Sequence, residues 1–177
     1  MGLRTLVLGG TRSGKSGYAE ELLPADAAVC YLATARRRPD DAEWDARIDA
    51  HRARRPSAWT TVEEPDVCAL VLAGGDPVLV DDLATWLTGI LDDAGAWDRP
   101  VDIAPRVDAL VDAVRAAPDR VVLVSAEVGL GVVPATPVGR LFRDELGALN
   151  AALAGVCDEV VLLVAGLPLH LKQAGAG

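Results

Sequence analysis

An eight-residue stretch near the amino terminus, GGTRSGKS, constrains the fold of this chain more than any other feature. It spans residues 9–16 and matches the phosphate-loop pattern, in which a glycine and four residues precede Gly-Lys-Ser. The apolar run LRTLVL (3–8) before it predicts a buried strand, and SGYAEELL (16–23) after it predicts a helix that ends near Pro24. A strand, a glycine-rich loop and a helix in this order predict a nucleotide-binding α/β fold.

The residue types in this loop suit the binding of a polyphosphate. Gly9 and Gly14 allow backbone dihedral angles that other residues resist, so that successive N–H groups can turn towards one anion. Lys15 is expected to reach the β- and γ-phosphates, and Ser16 to bind Mg²⁺ through its hydroxyl. The alternative is a chance glycine-rich turn. We predict that a nucleoside triphosphate is held by Gly9, Gly10, Thr11, Arg12, Ser13, Gly14, Lys15 and Ser16.

The rest of the sequence alternates between short apolar runs and segments with helical periodicity. Further strands are predicted at residues 27–33, 59–62, 77–82, 120–125 and 158–166, and further helices at 40–55, 66–73, 83–93, 102–116 and 137–154. Because continuous apolar strands are covered on both faces, this order predicts an α/β, P-loop NTPase-like three-layer sandwich with a mostly parallel sheet. We expect a single domain over residues 1–177, frayed from residue 173.

Composition narrows the class of protein. The net charge of −9 argues against general nucleic-acid binding, which usually requires a basic surface. The three cysteines, Cys30, Cys68 and Cys157, are widely spaced, which favours reduced core thiols over a disulfide framework or a zinc site. Without a leader-like segment or an apolar run of membrane length, we expect a cytoplasmic protein with no membrane span.

The strand PVLVDD ends in two acids, Asp81 and Asp82. Phosphate-loop enzymes commonly take a second Mg²⁺ ligand from the end of a neighbouring strand, and Asp81 follows the apolar run directly. Asp81 is therefore the predicted second magnesium ligand. An ordinary pair of helix-capping residues is the alternative, and Asp82 could be a cap or a supporting partner.

The segment RIDAHRARRPSAW (47–59) places His51, one of two histidines, among arginines. On a helix, Trp44, Ile48, His51 and Arg55 share one face. Arginine binds phosphate through two donors, and neighbouring positive charge lowers the pKa of histidine and favours its neutral, nucleophilic form. If this helix leans over the phosphate loop, His51 can attack phosphorus. A surface histidine on a charged helix is the alternative.

The motifs described so far leave several classes of protein open. A signalling GTPase would carry an Asn-Lys-x-Asp motif, but Asn150 is the single asparagine and alanine follows it. A small-molecule kinase with an arginine-rich lid between Arg36 and Arg55 stays open. So does a nucleotide-binding regulatory protein that transfers no group.

Longer segments carry a family resemblance over nearly the whole chain. They are GGTRSGKS, YLATA (31–35), DARIDAHRARRPSAWTTVEEP (from 45), VLVDDLATWLTGIL (from 78), VVLVSAEVGLGVVP (from 121) and LFRDELGALNAALAGVCDEVVLLVAGLPLHLK (from 141). Together they resemble the bifunctional adenosylcobinamide kinase / adenosylcobinamide-phosphate guanylyltransferase family. The histidine segment and SAEVGLGVVP are far more specific than the phosphate loop.

The resemblance implies two reactions. ATP or GTP phosphorylates the aminopropanol hydroxyl of adenosylcobinamide, and GTP then guanylylates that phosphate to give adenosylcobinamide-GDP and pyrophosphate. The second reaction passes through a guanylylated histidine, which the motif places at His51, with Lys15 and Mg²⁺ assisting. Members are typically trimers, which implies a homotrimer. Beyond the phosphate loop, the resemblance implies that GTP is lined by Ala33, Thr34, Ala35, Arg52, Ala53, Arg54, Arg55, Glu63 and Asp81.

The chain departs from the family pattern at three places. Ala126 stands where the family usually has asparagine, Asp82 stands where cysteine is common, and the loop over residues 36–41 looks longer than usual. None of these lies in the phosphate loop or at His51, so we expect activity to be retained. Glu127 could be a turn cap or a site residue, because loops at strand ends often carry function in such sheets.

Overall fold

The computed structural model describes residues 2–36, 46, 49, 52–53, 55–63 and 65–175. The strands are β1 (Arg4–Gly9), β2 (Val29–Ala33), β3 (Trp59–Glu63), β4 (Val78–Asp81), β5 (Val121–Ala126), β6 (Glu159–Val164) and β7 (Leu167–Lys172). The helices with described bounds are α1 (Lys15–Glu21), α2 (Val67–Ala73), α3 (Leu83–Ala94), α4 (Ala104–Ala116) and α5 (Pro137–Val156).

All seven strands form one sheet in the order β3-β2-β4-β5-β1-β6-β7. The first six strands in this order are parallel, and β7 runs antiparallel to β6. The predicted mostly parallel α/β fold is therefore confirmed. Because parallel strands end at the same edge of a sheet, the loops after β1, β2, β4 and β5 lie along one edge, where ligands bind in folds of this kind.

The sheet is covered on both faces, and alternate residues of the central strands divide between two cores. Leu6, Leu32 and Leu123 pack in the core that includes residues of α2, α3, α4 and α5. Val7 and Tyr31 pack in the opposite core, which includes residues of α1. The three-layer arrangement follows from strands that are apolar at successive positions, since such strands lose apolar surface to water on both sides.

The carboxyl-terminal strand departs from the sequence prediction. The strand predicted over residues 158–166 is confirmed as β6 (Glu159–Val164), but a two-residue turn follows it and leads into β7, which was not predicted. Ala165 (φ 52°) and Gly166 (φ 80°) are both left-handed, as such tight hairpin turns require. Every residue of β7 is exposed, so no buried face marked it in the sequence. Pro168 is tolerated because β7 is an edge strand.

Several other expectations can be compared with the described part of the chain. The three cysteines are free thiols and Cys157 is buried. Within the described residues, no helix is long and apolar enough to cross a membrane. Most of the helix predicted over residues 40–55 lies outside the described residues.

Candidate nucleotide-binding site

The phosphate loop lies between β1 and α1, as the motif predicted. Arg12 (φ 58°) and Gly14 (φ 91°) both have left-handed backbone conformations, which bend the loop back on itself. Gly14 is the cap residue at the amino terminus of α1, and no side chain in the described part of the chain caps this end. The N–H groups of the loop and of the first helical turn can therefore bind an anion.

Packing beneath the loop explains why glycine is required at its first position. A Cβ atom on Gly9 would lie 2.3 Å from the Oγ of Ser13. Ser13 is buried, and its Oγ has no hydrogen-bond partner among the residues that the structure describes. From outside the loop, the N–H of Gly166 donates to the carbonyl oxygen of Ser13 at 3.1 Å, so the turn between β6 and β7 supports the phosphate loop.

Ser16 and Asp81, the two predicted magnesium ligands, are brought together. The Ser16 hydroxyl donates to Oδ1 of Asp81 at 3.1 Å, and the Tyr31 hydroxyl donates to Oδ2 of the same carboxylate. Burial, followed by the neighbouring charge of Asp81, raises the pKa of Tyr31, so Tyr31 remains a donor at neutral pH. A serine hydroxyl beside a carboxylate is an oxygen donor set that fits Mg²⁺ bound to a nucleotide.

The structure connects Arg55 to this carboxylate through Tyr31. The Arg55 guanidinium carbon lies 3.6 Å from the centroid of the Tyr31 ring, and its Nη1 donates to Oγ1 of Thr61 at 3.1 Å. The Nε of Arg55 is buried without a hydrogen-bond partner among the described residues. A cation over an aromatic face is attracted to the ring, so Tyr31 contacts Arg55 with its face and Asp81 with its hydroxyl.

Two other residues that the resemblance assigned to GTP, Arg52 and Glu63, contact each other. Arg52 and Glu63 form an ion pair at 3.6 Å, and both side chains are exposed. Ala53 is exposed as well. An exposed pair of this kind contributes little to stability, so both charges can exchange partners when a ligand binds.

Thr34 directly follows β2, and Asp82 directly follows β4. Thr34 is buried, its N–H donates to the carbonyl oxygen of Asp81 at 3.3 Å, and its hydroxyl donates to the carbonyl oxygen of Asp82 at 2.6 Å. Asp82 caps α3 by accepting from the N–H of Thr85 at 2.9 Å. Ala33 ends β2 opposite Asp81, and Ala35 follows Thr34. Asp82 is therefore a capping residue, one of its two predicted roles.

Two residues of the predicted site, His51 and Arg54, lie outside the described residues. The assignment of the nucleophile therefore stays a prediction from the sequence. Lys15 is half-buried and makes no hydrogen bond or ion pair with any described residue, which leaves its ammonium group available to a phosphate.

The end of β5 supplies the other wall of the loop. The Nδ2 of Asn150 donates to the carbonyl oxygen of Ala126 at 3.0 Å, and the Oδ1 of Asn150 accepts from the Ser125 hydroxyl at 2.6 Å. Glu127 Oε1 accepts from the N–H of Gly129 at 2.6 Å, which is the turn-cap role considered for it. The Ala126 methyl group adds no hydrogen bond of its own at this position.

Sequence reasoning missed Tyr31 as a member of the site. Its motif, YLATA, was noted, but the partner that gives Tyr31 its role lies 50 residues away on β4. The available signal was the buried strand itself, because a tyrosine inside such a strand needs a partner for its hydroxyl.

The chain resembles named proteins over nearly its full length. Residues 5–171 match the family model described as cobinamide kinase / cobinamide phosphate guanyltransferase. A relative from Pseudomonas aeruginosa, named bifunctional adenosylcobalamin biosynthesis protein CobP, is 44% identical and the match covers 96% of this chain and 98% of the relative. Relatives named bifunctional adenosylcobalamin biosynthesis protein CobU, from Escherichia coli K12 and Salmonella typhimurium, are 38% and 37% identical. Each of these matches covers 94% of this chain and 98% of the relative.

Among solved structures, the P4 protein from bacteriophage phi6 in complex with ADP covers 98% of this chain and 55% of its own, with a TM-score of 0.49 and 16% identity. That similarity supports no functional assignment. The family match includes the phosphate loop, the Asp81 strand and the loop after β5. On that match, and on relatives that align almost end to end, the chain belongs to the cobinamide kinase / cobinamide phosphate guanyltransferase family.

Proposed function

We propose that this protein phosphorylates adenosylcobinamide with ATP or GTP and then transfers GMP from GTP to the new phosphate, giving adenosylcobinamide-GDP and pyrophosphate. One observation carries the proposal: a phosphate loop whose Ser16 hydroxyl lies 3.1 Å from the Asp81 carboxylate, in a chain of this family. The pair supports a site for a magnesium-bound triphosphate.

In the kinase step, the hydroxyl oxygen of adenosylcobinamide attacks the γ-phosphorus. The bond from the γ-phosphorus to the bridging oxygen breaks, the nucleoside diphosphate leaves, and the hydroxyl proton passes to solvent. Lys15 and the loop N–H groups stabilise the charge that develops on the phosphate oxygens. When bound, Mg²⁺ supplies further positive charge there, and Ser16 and Asp81 would hold it.

In the transfer step, a ring nitrogen of His51 attacks the α-phosphorus of GTP. The bond to the β-phosphate oxygen breaks, and pyrophosphate leaves. The phosphate of adenosylcobinamide phosphate then attacks the same phosphorus, the N–P bond breaks, and His51 is regenerated. Dividing one displacement into two is the usual advantage of covalent catalysis. Arg55 supports this assignment, because it lies four residues from His51 in the sequence and contacts the ring of Tyr31, whose hydroxyl donates to Asp81.

Labelling with GTP carrying a radioactive α-phosphate tests the proposal. Without acceptor, we expect a covalent label on the wild-type protein that survives base, is lost in acid, and is absent from His51→Ala. His170→Ala is the matched control, because His170 is the other histidine and lies on exposed β7. It should keep the label.

The same experiment separates the alternatives. If the wild-type protein phosphorylates adenosylcobinamide but acquires no covalent label from GTP, the result would instead support a kinase without a covalent intermediate. Binding of nucleotide without any turnover would support a regulatory protein.

By the family resemblance we also propose that the protein acts in the cytoplasm as a homotrimer. Light scattering of the purified protein should then give a mass three times that of the 18.5 kDa chain.

A further inference from the structure

The loop that follows β5 exposes apolar side chains. We call residues 127–136 the β5–α5 loop. Leu130 is 82% exposed and Val132 is 95% exposed, and Val133 is exposed as well. Several large apolar side chains exposed within a few residues are typical of an interaction surface, since such side chains are otherwise withdrawn from water.

This loop begins beside the phosphate loop. The N–H of Glu127 donates to the carbonyl oxygen of Gly9 at 3.1 Å, and Gly9 is the first residue of the phosphate loop. Gly9 also pairs with Ala126 across β1 and β5. A molecule that rests on the β5–α5 loop therefore lies next to bound phosphate.

Hydrogen bonds secure the β5–α5 loop at both ends. At its start, Glu127 Oε1 accepts from the N–H of Gly129 at 2.6 Å. At its end, Nη1 of Arg140 donates to the carbonyl oxygens of Pro134 at 3.0 Å and Ala135 at 2.8 Å. A surface that is already ordered loses less conformational entropy when it binds a ligand.

The chemistry of this loop fits the acceptor better than the nucleotide. Residues 128–136 include no charged side chain, so the loop offers phosphate no cation. The acceptor of the proposed reaction is a corrinoid, a wide macrocycle with methyl groups and saturated carbons on its rim. Its hydroxyl must reach the γ-phosphate, so the ring must rest on a neighbouring surface. The cleft of about 130 Å³ beside Trp86 and Arg106 is too small for such a ring.

A second apolar surface helps to assign the first. Leu167, Leu169 and Leu171 are exposed along β7, which is also an edge strand. Edge strands offer backbone donors and acceptors to another chain, so β7 is better suited to protein contact than the β5–α5 loop.

We propose that the β5–α5 loop is the docking surface for the corrin ring of the acceptor, with Leu130 and Val132 as its main contacts. The inference rests on the proposed function, because that function supplies the identity of the acceptor. It assigns a binding site to the segment VGLGVVP, which the phosphate chemistry does not use.

The test compares Leu130→Ser/Val132→Ser with Leu72→Ser, a leucine on α2 that is 49% exposed. The assays are the KM for adenosylcobinamide at saturating nucleotide, the acceptor-free labelling by GTP, and the mass in solution. The loop variant should raise the KM about 10-fold or more, since two apolar contacts are lost. Its labelling and mass should equal those of the wild type, and Leu72→Ser should change none of the three.

An unchanged KM in the loop variant would overturn the docking surface while leaving the proposed function intact. A lower mass would also overturn it, because the loop would then lie between copies of the chain. If the wild type does not phosphorylate adenosylcobinamide, the proposed function fails. Equilibrium dialysis of adenosylcobinamide against the wild type and the loop variant then tests the docking surface alone. Equal affinities of the two proteins would overturn the docking surface.

Discussion

Asp81, the last residue of β4, and Asp82, the residue that caps α3, are neighbours in the sequence and have different partners. Asp81 faces the phosphate loop, where Ser16 and Tyr31 both donate to its carboxylate. Asp82 instead caps α3 by accepting from the N–H of Thr85. The pair shows that identical side chains one residue apart take separate roles, because Asp81 ends the strand and Asp82 caps the helix that follows it.

The largest expected effect comes from removing the acid on the phosphate side. Asp81→Ala should lower kcat/KM for the nucleotide by about 10²–10³-fold, because the charge that would hold Mg²⁺ against the phosphates is lost. Initial rates of adenosylcobinamide phosphorylation, measured over a range of Mg²⁺ concentrations, test this.

Asp82→Ala, at the neighbouring acid, is the matched control. It should keep activity within a few-fold and lower the free energy of unfolding by about 1 kcal/mol, because it removes a helix cap. An Asp82→Ala protein that folds but loses as much activity as Asp81→Ala would show that the two acids do not divide their roles as described.

A smaller effect is expected from the hydroxyl that orients Asp81. Tyr31→Phe keeps the ring beneath Arg55 and removes one donor to the carboxylate. The variant should need more Mg²⁺ for half-maximal rate and lose about 1 kcal/mol of unfolding free energy. Titration of the rate with Mg²⁺, beside urea denaturation, measures both. If only stability falls, Tyr31 supports the fold and does not position Asp81.

The smallest effect is a pH dependence on the capping side. Burial, followed by the charge of Asp81, raises the pKa of Asp82, and the N–H of Thr85 opposes the shift. The folded state then holds this proton more tightly than the unfolded state, so Asp82 becomes more destabilising as pH rises from about 4 through its raised pKa. Asp82→Asn, which keeps a capping oxygen, should remove that dependence.

Denaturation midpoints of the wild type and Asp82→Asn at several pH values measure this difference. The advantage of Asp82→Asn should grow as pH rises. A constant difference between the two proteins would contradict the direction of the shift.

The parts of the molecule that were predictable are those that neighbouring residues determine. The phosphate loop and the strand that ends at Asp81 are local patterns, and the structure brings Ser16 and Asp81 together as expected. The strand β7 was missed because its residues are all exposed and show no buried face. Tyr31 was missed because its role depends on the register of β2 against β4, which joins residues 50 positions apart.

The assignment of the nucleophile has a different basis from that of the phosphate loop. Helical spacing left His51 as either a nucleophile or a surface histidine, and the family resemblance favoured the nucleophile. Among the described residues, Arg55, four positions later, lies over the ring of Tyr31, and the hydroxyl of Tyr31 donates to the Asp81 carboxylate.

The bond from the Gly166 N–H to the Ser13 carbonyl oxygen has a consequence for synthesis of the protein. The turn that supports the phosphate loop is translated only after β6, long after the loop itself. A nascent chain on the ribosome therefore carries the loop long before it carries the support. Nucleotide binding at full strength is expected only after β6 and β7 have left the ribosome.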